Sequence, residues 1–396
     1  MDSRELHALL TPEGLRLLDS LSPIDDTAEV ARAVSSLRAA GHSADLVSAV
    51  VGQARLRTRA RAKFGDFADR MLFTRAGLEQ STRLSVAAWH AGRFRDAGAR
   101  RVADLGCGIG GDALGVAGIG LDVLAVDADE VTAAIAAYNL APFGTAATVR
   151  HGLAEDTDLD GIDAVWLDPA RRTAGHSETR RVDASDYTPG LDWAFEVARR
   201  IPTGIKLGPA FDRDLIPGDV EAQWIGVDGS TVELVLWSGK LARPGIRRAA
   251  LVLRNGATHE LTAASDAADA PVRDLGAFVH EPEGAVIRAR LIGDVARALD
   301  AGMLDARIAY LTSDAAVTSP FVRSFRVREQ VPFEPKKLAR VLRERGIGRL
   351  EIKKRGVDVD PAKLRTALRL DGDAEATLLL TRVGEHRMAL LADRVR

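Results

Sequence analysis

The period of apolar and polar positions changes three times along this chain. Up to about Phe64, apolar residues recur at helical spacing, with Thr11-Pro12-Glu13 and Ser22-Pro23 as start signals and Gly41 as a stop, which predicts a small all-α domain. Its last helix, expected over 43–64, ends in Arg55, Arg57, Arg59, Arg61 and Lys63, of which Arg55, Arg59 and Lys63 share a face. That row reads either as a solvated helix end interacting with its own dipole or as a phosphate-contacting ridge. A further amphipathic helix runs to about Phe94.

From Arg101 the pattern becomes short apolar runs alternating with helical segments. Strands are expected at 101–105, 122–127, 148–151, 164–167 and 204–209, with helices after Gly111, over 130–140 and around 193–200. Apolar runs at 220–227 and 231–238, joined by Asp228-Gly229-Ser230, read as an antiparallel hairpin. Together these predict an α/β fold, a Rossmann-like sheet of seven strands. A polar break at 241–250 and an Ala/Asp-rich stretch at 263–270 bracket an extra hairpin, and 284–301 reads as a helical connector. The tail runs strand, helix, strand, helix, strand, strand, a small α+β domain. The expected division is 1–68, 69–250, 251–318 and 319–396.

Composition adds boundaries. The 396 residues, 46% hydrophobic and 28% charged, allow sizeable buried cores in two or three domains. One cysteine, Cys107, rules out intrachain disulfides and thiolate metal clusters and suits a reducing compartment. The start Met-Asp-Ser-Arg-Glu lacks the features of a signal peptide and no apolar run is long enough for a bilayer, so a cytoplasmic protein without membrane contact is expected. The eight histidines are scattered, and no metal is expected. A formal net charge of −2 leaves nucleic-acid binding to local patches.

One such patch exists. Residues 323–355 hold twelve Lys/Arg against four Glu. That density points to binding of a phosphate backbone, with Arg323, Lys336, Lys337, Arg340, Lys353 and Lys354 as candidate contacts.

The chemistry-bearing stretch is Val102 through Asp112, a buried strand, a glycine turn and a helix start. Gly106, Gly108 and Gly110 let backbone approach a ligand, and the helix start offers free N–H groups. Gly106, Gly108 and Gly111 also satisfy the spacing of dinucleotide-binding turns. Asp104, just before the glycines, can reach the cationic amino end of a methionine moiety, and Asp127, ending the next apolar run, can accept from ribose hydroxyls. The second acid serves a nicotinamide cofactor equally; the first favours S-adenosylmethionine. Asp168-Pro169-Ala170-Arg171 closes the fourth strand, and strand carboxyl ends face the ligand in such sheets. Asp168, Pro169 and Arg171 are therefore the candidate catalytic residues.

The chain resembles class I S-adenosylmethionine-dependent methyltransferases that carry a THUMP-like domain at the C-terminus, with a catalytic domain similar to the trimethylguanosine synthases and RNA guanine-N2 methyltransferases. Phe73-Thr74 with Leu78-Glu79-Gln80, the stretch 104–112, Asp168 to Arg171 and Ser319 to Phe325 carry the resemblance. It implies S-adenosylmethionine as cofactor, with Phe73 and Thr74 over its methionine end and Ala154 and Glu155 at its adenine; Phe73 reads equally as a core aromatic. It also implies an RNA substrate, a tRNA or rRNA, methylated on a base nitrogen with guanine N2 favoured. In this sequence Ala170 and Arg171 stand where amine-methylating relatives have a second proline and an aromatic that stacks on the flipped-out base. A guanidinium can also stack on a base, or hold a phosphate.

Other readings stay open at this point. The cofactor could serve a protein or small-molecule acceptor, or the chain could be an RNA-binding protein with an inactive methyltransferase domain. A nicotinamide-dependent dehydrogenase would need a proton-relay residue that the sequence does not offer. Uracil C5 methylation would need a thiolate nucleophile, and Cys107 sits at the cofactor end.

Overall fold

The computed structural model describes Met1–Arg171 and Tyr187–Val395, with the side chain of Arg171 outside the described part, and divides into two compact units. The first comprises Met1–Leu207 and Leu236–Ala242, the second Gly208–Val235 and Arg243–Arg396.

The first unit opens with four helices: α1 (Ser3–Leu9), α2 (Pro12–Ser20), α3 (Thr27–Ala39) and α4 (Ala44–Phe64). Asp2 and Asp26 begin α1 and α3 through reciprocal boxes with Glu5 and Glu29, Thr11 caps α2 ahead of Pro12, and Ser43 caps α4. Ser22-Pro23 starts no helix; Asp26 does, because its box with Glu29 satisfies end groups in both directions. The first three helices pack on α4 through Leu9, Leu18, Leu37 and Val50.

The cationic row of α4 is not a continuous exposed face. Lys63 donates to the carbonyls of Leu78, Glu79 and Ser81 at 2.8, 2.8 and 2.7 Å, and burial lowers its pKa to about 8. Arg57 is buried and donates to Met71 O, and Arg61 forks onto Asp69. Of the shared face, Arg59 alone is exposed.

After α5 (Arg75–Gln80) and α6 (Leu84–Asp96) the alternation proceeds as β1 (Arg101–Leu105), α7 (Gly111–Gly118), β2 (Asp122–Asp127), α8 (Glu130–Leu140), β3 (Ala147–His151) and β4 (Ala164–Leu167). The short pair β5 (Ala170–Arg171) and β6 (Tyr187–Thr188), then α9 (Leu191–Arg200) and β7 (Thr203–Leu207), complete it. The strands lie in the order β7-β4-β1-β2-β3, all parallel. Chain order reverses between β1 and β4, the place where doubly wound sheets bind ligands. α6 crosses α7 closely at Gly115, where a Cβ would lie 2.6 Å from Ala87 O.

The second unit begins with β8 (Glu221–Val227) and β9 (Ser230–Trp237), whose turn carries Asp228 at φ 50° and Gly229 at φ 90°. That is the hairpin the sequence predicts; its last residues, Leu236 and Trp237, return to the first unit beside β7. The polar break is tied down by ion pairs. Arg243 bridges the fully buried Glu221 to Glu260, and β10 (Arg248–Arg254) and β11 (Ala257–Ala263) form a hairpin there.

The rest is one sheet of seven strands. β12 (Phe278–Pro282), α10 (Gly284–Arg288), α11 (Ile292–Ala298), β13 (Gly302–Asp305) and β14 (Ile308–Ser313) precede β15 (Val322–Val331), α12 (Pro335–Glu344), β16 (Ile347–Lys354), α13 (Pro361–Leu368), β17 (Ala374–Val383) and β18 (His386–Arg394). Strand order is β13-β14-β12-β15-β18-β17-β16. The segment expected as hairpin and connector thus supplies three strands, and β12 pairs with β15 across position 318/319. Its strands escape periodicity because they bury polar residues: His280 is 0% exposed, bonded to Ser324 and Ser313.

Candidate active site

The glycine loop leaves β1 with three glycines at positive φ, 82° at Gly106, 56° at Gly108 and 85° at Gly110. A Cβ at Gly106 would lie 3.0 Å from the carbonyl oxygen of Asp168, so this glycine lets the ends of β1 and β4 meet. Around Gly108 a Cβ would meet nothing within 4 Å, so the backbone there borders open space. Asp127 at the end of β2 already accepts from the N–H of Gly108 and of Asp129, each at 2.9 Å. Burial outweighs those bonds and raises its pKa.

A chain of charges lies behind the loop. Asp104 is 1% exposed and its Oδ2 has no hydrogen-bond partner among the described residues. Burial, reinforced by the carboxylates of Asp112 and Asp168, pushes its pKa well above the ordinary carboxylate value. Asp112, in the first turn of α7, is equally buried. Against that desolvation, His90 Nδ1 at 2.8 Å, Lys206 Nζ at 4.0 Å and Thr82 Oγ1 at 2.7 Å hold its pKa below the ordinary value. Lys206 on β7 reaches the other way to Asp168 Oδ2 at 2.5 Å. His90 is stacked on Trp166 with ring centres 4.3 Å apart, and Trp166 packs on Trp237 at 5.7 Å.

Sequence reading did not single out Thr82, His90, Asp112 or Lys206. Lys206 carried a usable signal, a lone cation in the otherwise apolar strand Thr203–Leu207. Asp112 carried another, as the acid directly after the glycines.

The segment ahead of the loop is tied down by main-chain bonds. Gln53 Nε2 donates to Phe73 O at 2.6 Å and its Oε1 accepts from Phe73 N–H at 3.0 Å. Asn139 does the same for Leu72 and also donates to Ile109 O at 2.9 Å, linking this strap to the glycine loop. The Phe73 ring is fully buried against Phe64, 5.7 Å between centres, and the Thr74 hydroxyl caps α5 by accepting from Gly77 N–H.

After β3, Ala154 is buried, Glu155 exposed and Leu153 52% exposed. Pro169 is buried and Ala170 exposed; the Arg171 side chain and Arg172 lie outside the described residues.

In the second unit Lys336, Lys337, Arg340 and Lys354 are exposed, with Lys337 and Arg340 facing Glu334 and Glu344. Lys353 is largely buried and donates to Glu281 at 2.6 Å, and Arg323 donates to Asp228 O at 3.3 Å. Among the described residues, no group of His, Cys, Asp and Glu is arranged to hold a metal, and no helix is long and apolar enough to cross a membrane.

Residues 322–394 match the family model described as THUMP domain-like, and residues 2–60 match that of a domain of unknown function. The chain is 34% identical over 340 residues, 83% of its length and 91% of theirs, to uncharacterized S-adenosylmethionine-dependent methyltransferases of Mycobacterium tuberculosis strains CDC 1551 and H37Rv. The crystal structure of a protein from Porphyromonas gingivalis W83, described as a methyltransferase, superposes with a TM-score of 0.71 at 20% identity, over 94% of this chain and 99% of that one. The relationship over most of both sequences, the reversal of strand order at a glycine loop and the C-terminal match converge on one assignment: the chain belongs to the class I S-adenosylmethionine-dependent methyltransferases, and it carries a THUMP-like domain at its C-terminal end.

Proposed function

We propose that this methyltransferase acts on RNA at a base nitrogen, with guanine N2 as the favoured atom. The observation that carries the reading is Asp168-Pro169 at the carboxyl end of β4, with its backbone against Gly106 and its carboxylate on Lys206. A carboxylate and the following carbonyl accept hydrogen bonds, as the amino and imino groups of guanine require. The residues around the loop fit the cofactor: the buried, unpartnered Asp104 Oδ2 is the complement of an ammonium group, and the open backbone at Gly108 gives room beside Asp127 for a ribose.

When bound, S-adenosylmethionine supplies a methyl group already activated on a sulfonium. The chain's own residues then have to orient and exclude. Asp104 anchors the amino end. Asp168 Oδ and the Pro169 carbonyl fix the base so that its nitrogen lone pair is aligned with the methyl group. Lys206 keeps the Asp168 carboxylate in place. Trp166, Trp237 and Phe94, all buried behind the site, keep the support of His90 dry. By its place in the sequence Arg171 stands where relatives hold an aromatic, to stack on the base or to hold a phosphate. The exposed Lys336, Lys337, Arg340 and Lys354 supply phosphate contacts.

Nucleoside mass spectrometry of total RNA from a strain lacking this chain, beside its parent, tests the reading. Loss of one methylated guanosine, restored by the wild type and not by Asp168→Ala, is the expected result. Unchanged RNA nucleosides would move the acceptor to a protein or small molecule.

A further inference from the structure

On α12, Lys337 and Arg340 each face a carboxylate of their own helix end, Glu334 and Glu344, but the second unit also contains a place where cations converge from separate elements. Arg254 ends β10, Arg323 stands near the start of β15 and Arg394 ends β18, and all three line one cavity of about 430 Å³. Each is placed by structure. Arg323 lies over the Asp228-Gly229 turn, donating to Asp228 O, and a Cβ at Gly229 would collide with its guanidinium. Arg254 bonds through Nη2 to Glu283, a carboxylate that is 5% exposed, while its Nε is buried with no partner among the described residues. Glu283 also faces Arg323 Nε at 3.6 Å. Arg394 is half exposed, and its nearest carboxylate, Glu351 at 3.9 Å, faces Lys353 at 3.7 Å as well.

Among the described residues no carboxylate there is held by one of these guanidiniums alone: Glu283 is shared by Arg254 and Arg323, Glu351 lies between Arg394 and Lys353, and Asp228 is that of the turn itself. Burial, then the charges of Arg323 and Arg394, lowers the pKa of Arg254, so the guanidiniums stand close enough to repel one another. Guanidinium forks approaching from three elements match the several oxygens of a phosphate better than the two of a carboxylate, which one fork can fill.

We propose that Arg254, Arg323 and Arg394 form a phosphate-binding pocket that takes a terminal phosphate group. The source of that group, the end of an RNA chain or a free nucleotide, is what the experiment separates; the RNA source rests on the function proposed above, and the pocket does not. Arg254 comes from β10, outside the residues that match the THUMP-like family, so the pocket is not a property of that domain alone.

The full-length protein is titrated by calorimetry at fixed ionic strength with inorganic phosphate, then with an end-phosphorylated RNA oligonucleotide and the same oligonucleotide after phosphatase treatment. Saturable phosphate binding is expected, weakened about tenfold in Arg394→Gln, as loss of one charge-assisted contact implies, and unchanged in Arg199→Gln, an exposed arginine of the first unit. Arg254→Gln should weaken it further; Arg394, on the rim, keeps the test decisive if that variant does not fold. Preference for the phosphorylated RNA, lost in Arg394→Gln, assigns the pocket to an RNA end, whereas phosphate binding without that preference assigns it to a free nucleotide or phosphate. No saturable phosphate binding, or equal binding by wild type and folded Arg394→Gln, overturns the pocket. Phosphate binding alongside unmethylated RNA would overturn the proposed function and leave the pocket standing.

Discussion

Lys206 is set between two carboxylates of the site, 2.5 Å from Asp168 and 4.0 Å from the buried Asp112. Replacing it with Met removes a charge-assisted hydrogen bond worth about 1.5–3 kcal/mol. Methyl transfer by Lys206→Met is expected to fall about ten- to a hundredfold in kcat/KM, with S-adenosylmethionine affinity changing much less; a matched loss of cofactor binding in calorimetry would remove Lys206 from the acceptor side. Asp104 gives a prediction of opposite sign for stability and binding. Its pKa in the free protein is raised, so its contribution to stability is present at low pH and is lost as pH rises through that value. Asp104→Asn is therefore expected to melt higher than wild type at neutral pH while binding the cofactor more weakly. Because a bound ammonium favours the carboxylate, wild-type affinity should rise with pH up to the free-protein pKa of Asp104 and level off above it. Calorimetry in buffers of different ionisation heat should register proton release on binding, and Asp104→Asn should show none.

At the scale of elements, the strap Met71–Phe73 depends on two amides from helices on either side of it, Gln53 on α4 and Asn139 on α8. Gln53→Leu leaves a buried N–H and a buried C=O of Phe73 without partners, at ~1–3 kcal/mol each. Thermal denaturation should show that loss, and cofactor affinity should fall with it, since Asn139 ties the same strap to Ile109 of the glycine loop. A variant that melts lower yet binds S-adenosylmethionine as before would separate the strap from the site. Element ends were legible where a residue type acts locally. Thr11 caps the helix that its Thr-Pro-Glu signal predicts, and Asp228-Gly229 makes its turn, because a side-chain oxygen or a positive φ needs no distant partner. The strands β12 to β14 were not legible, since what makes His280 an interior residue is a pair of serines, Ser324 and Ser313, distant in sequence.

For the whole molecule, the division of the basic segment decides what salt should do. Lys336, Lys337, Arg340 and Lys354 are exposed, whereas Lys353 is committed to Glu281 and sits over the Phe325 ring at 5.8 Å. Neutralising the four exposed residues should weaken RNA binding and lower the log–log salt slope by roughly 0.7 to 0.9 per lost phosphate contact, with cofactor affinity unmoved. Lys353→Gln should instead cost stability with little change in slope; a slope that falls as much for Lys353→Gln would mean Glu281 releases it to the RNA. Cutting the chain at 318/319 would not excise a tail cleanly. β12 pairs with β15, and the core of Val279, Leu304, Ile308 and Tyr310 is completed by Phe325, Leu379 and Leu390.

By itself the sequence determined the class of fold, the helical start, the alternation around the glycine loop and the α+β tail, because period, caps and glycine spacing are local quantities carried by neighbouring residues. It also placed Asp104, Asp127 and Asp168 at strand ends, since strand ends follow from the same period. Tertiary structure alone decided which cations are available and which are spent: Lys63 on three carbonyls, Lys353 on Glu281, Lys206 on Asp168. It decided as well that His90, Thr82 and Asp112 form one buried cluster, and that arginines at 254, 323 and 394 line one cavity. The physical reason is the same in each case: whether a charge meets water, a carbonyl or another charge depends on which distant segments fold against it, and no local pattern encodes that distance.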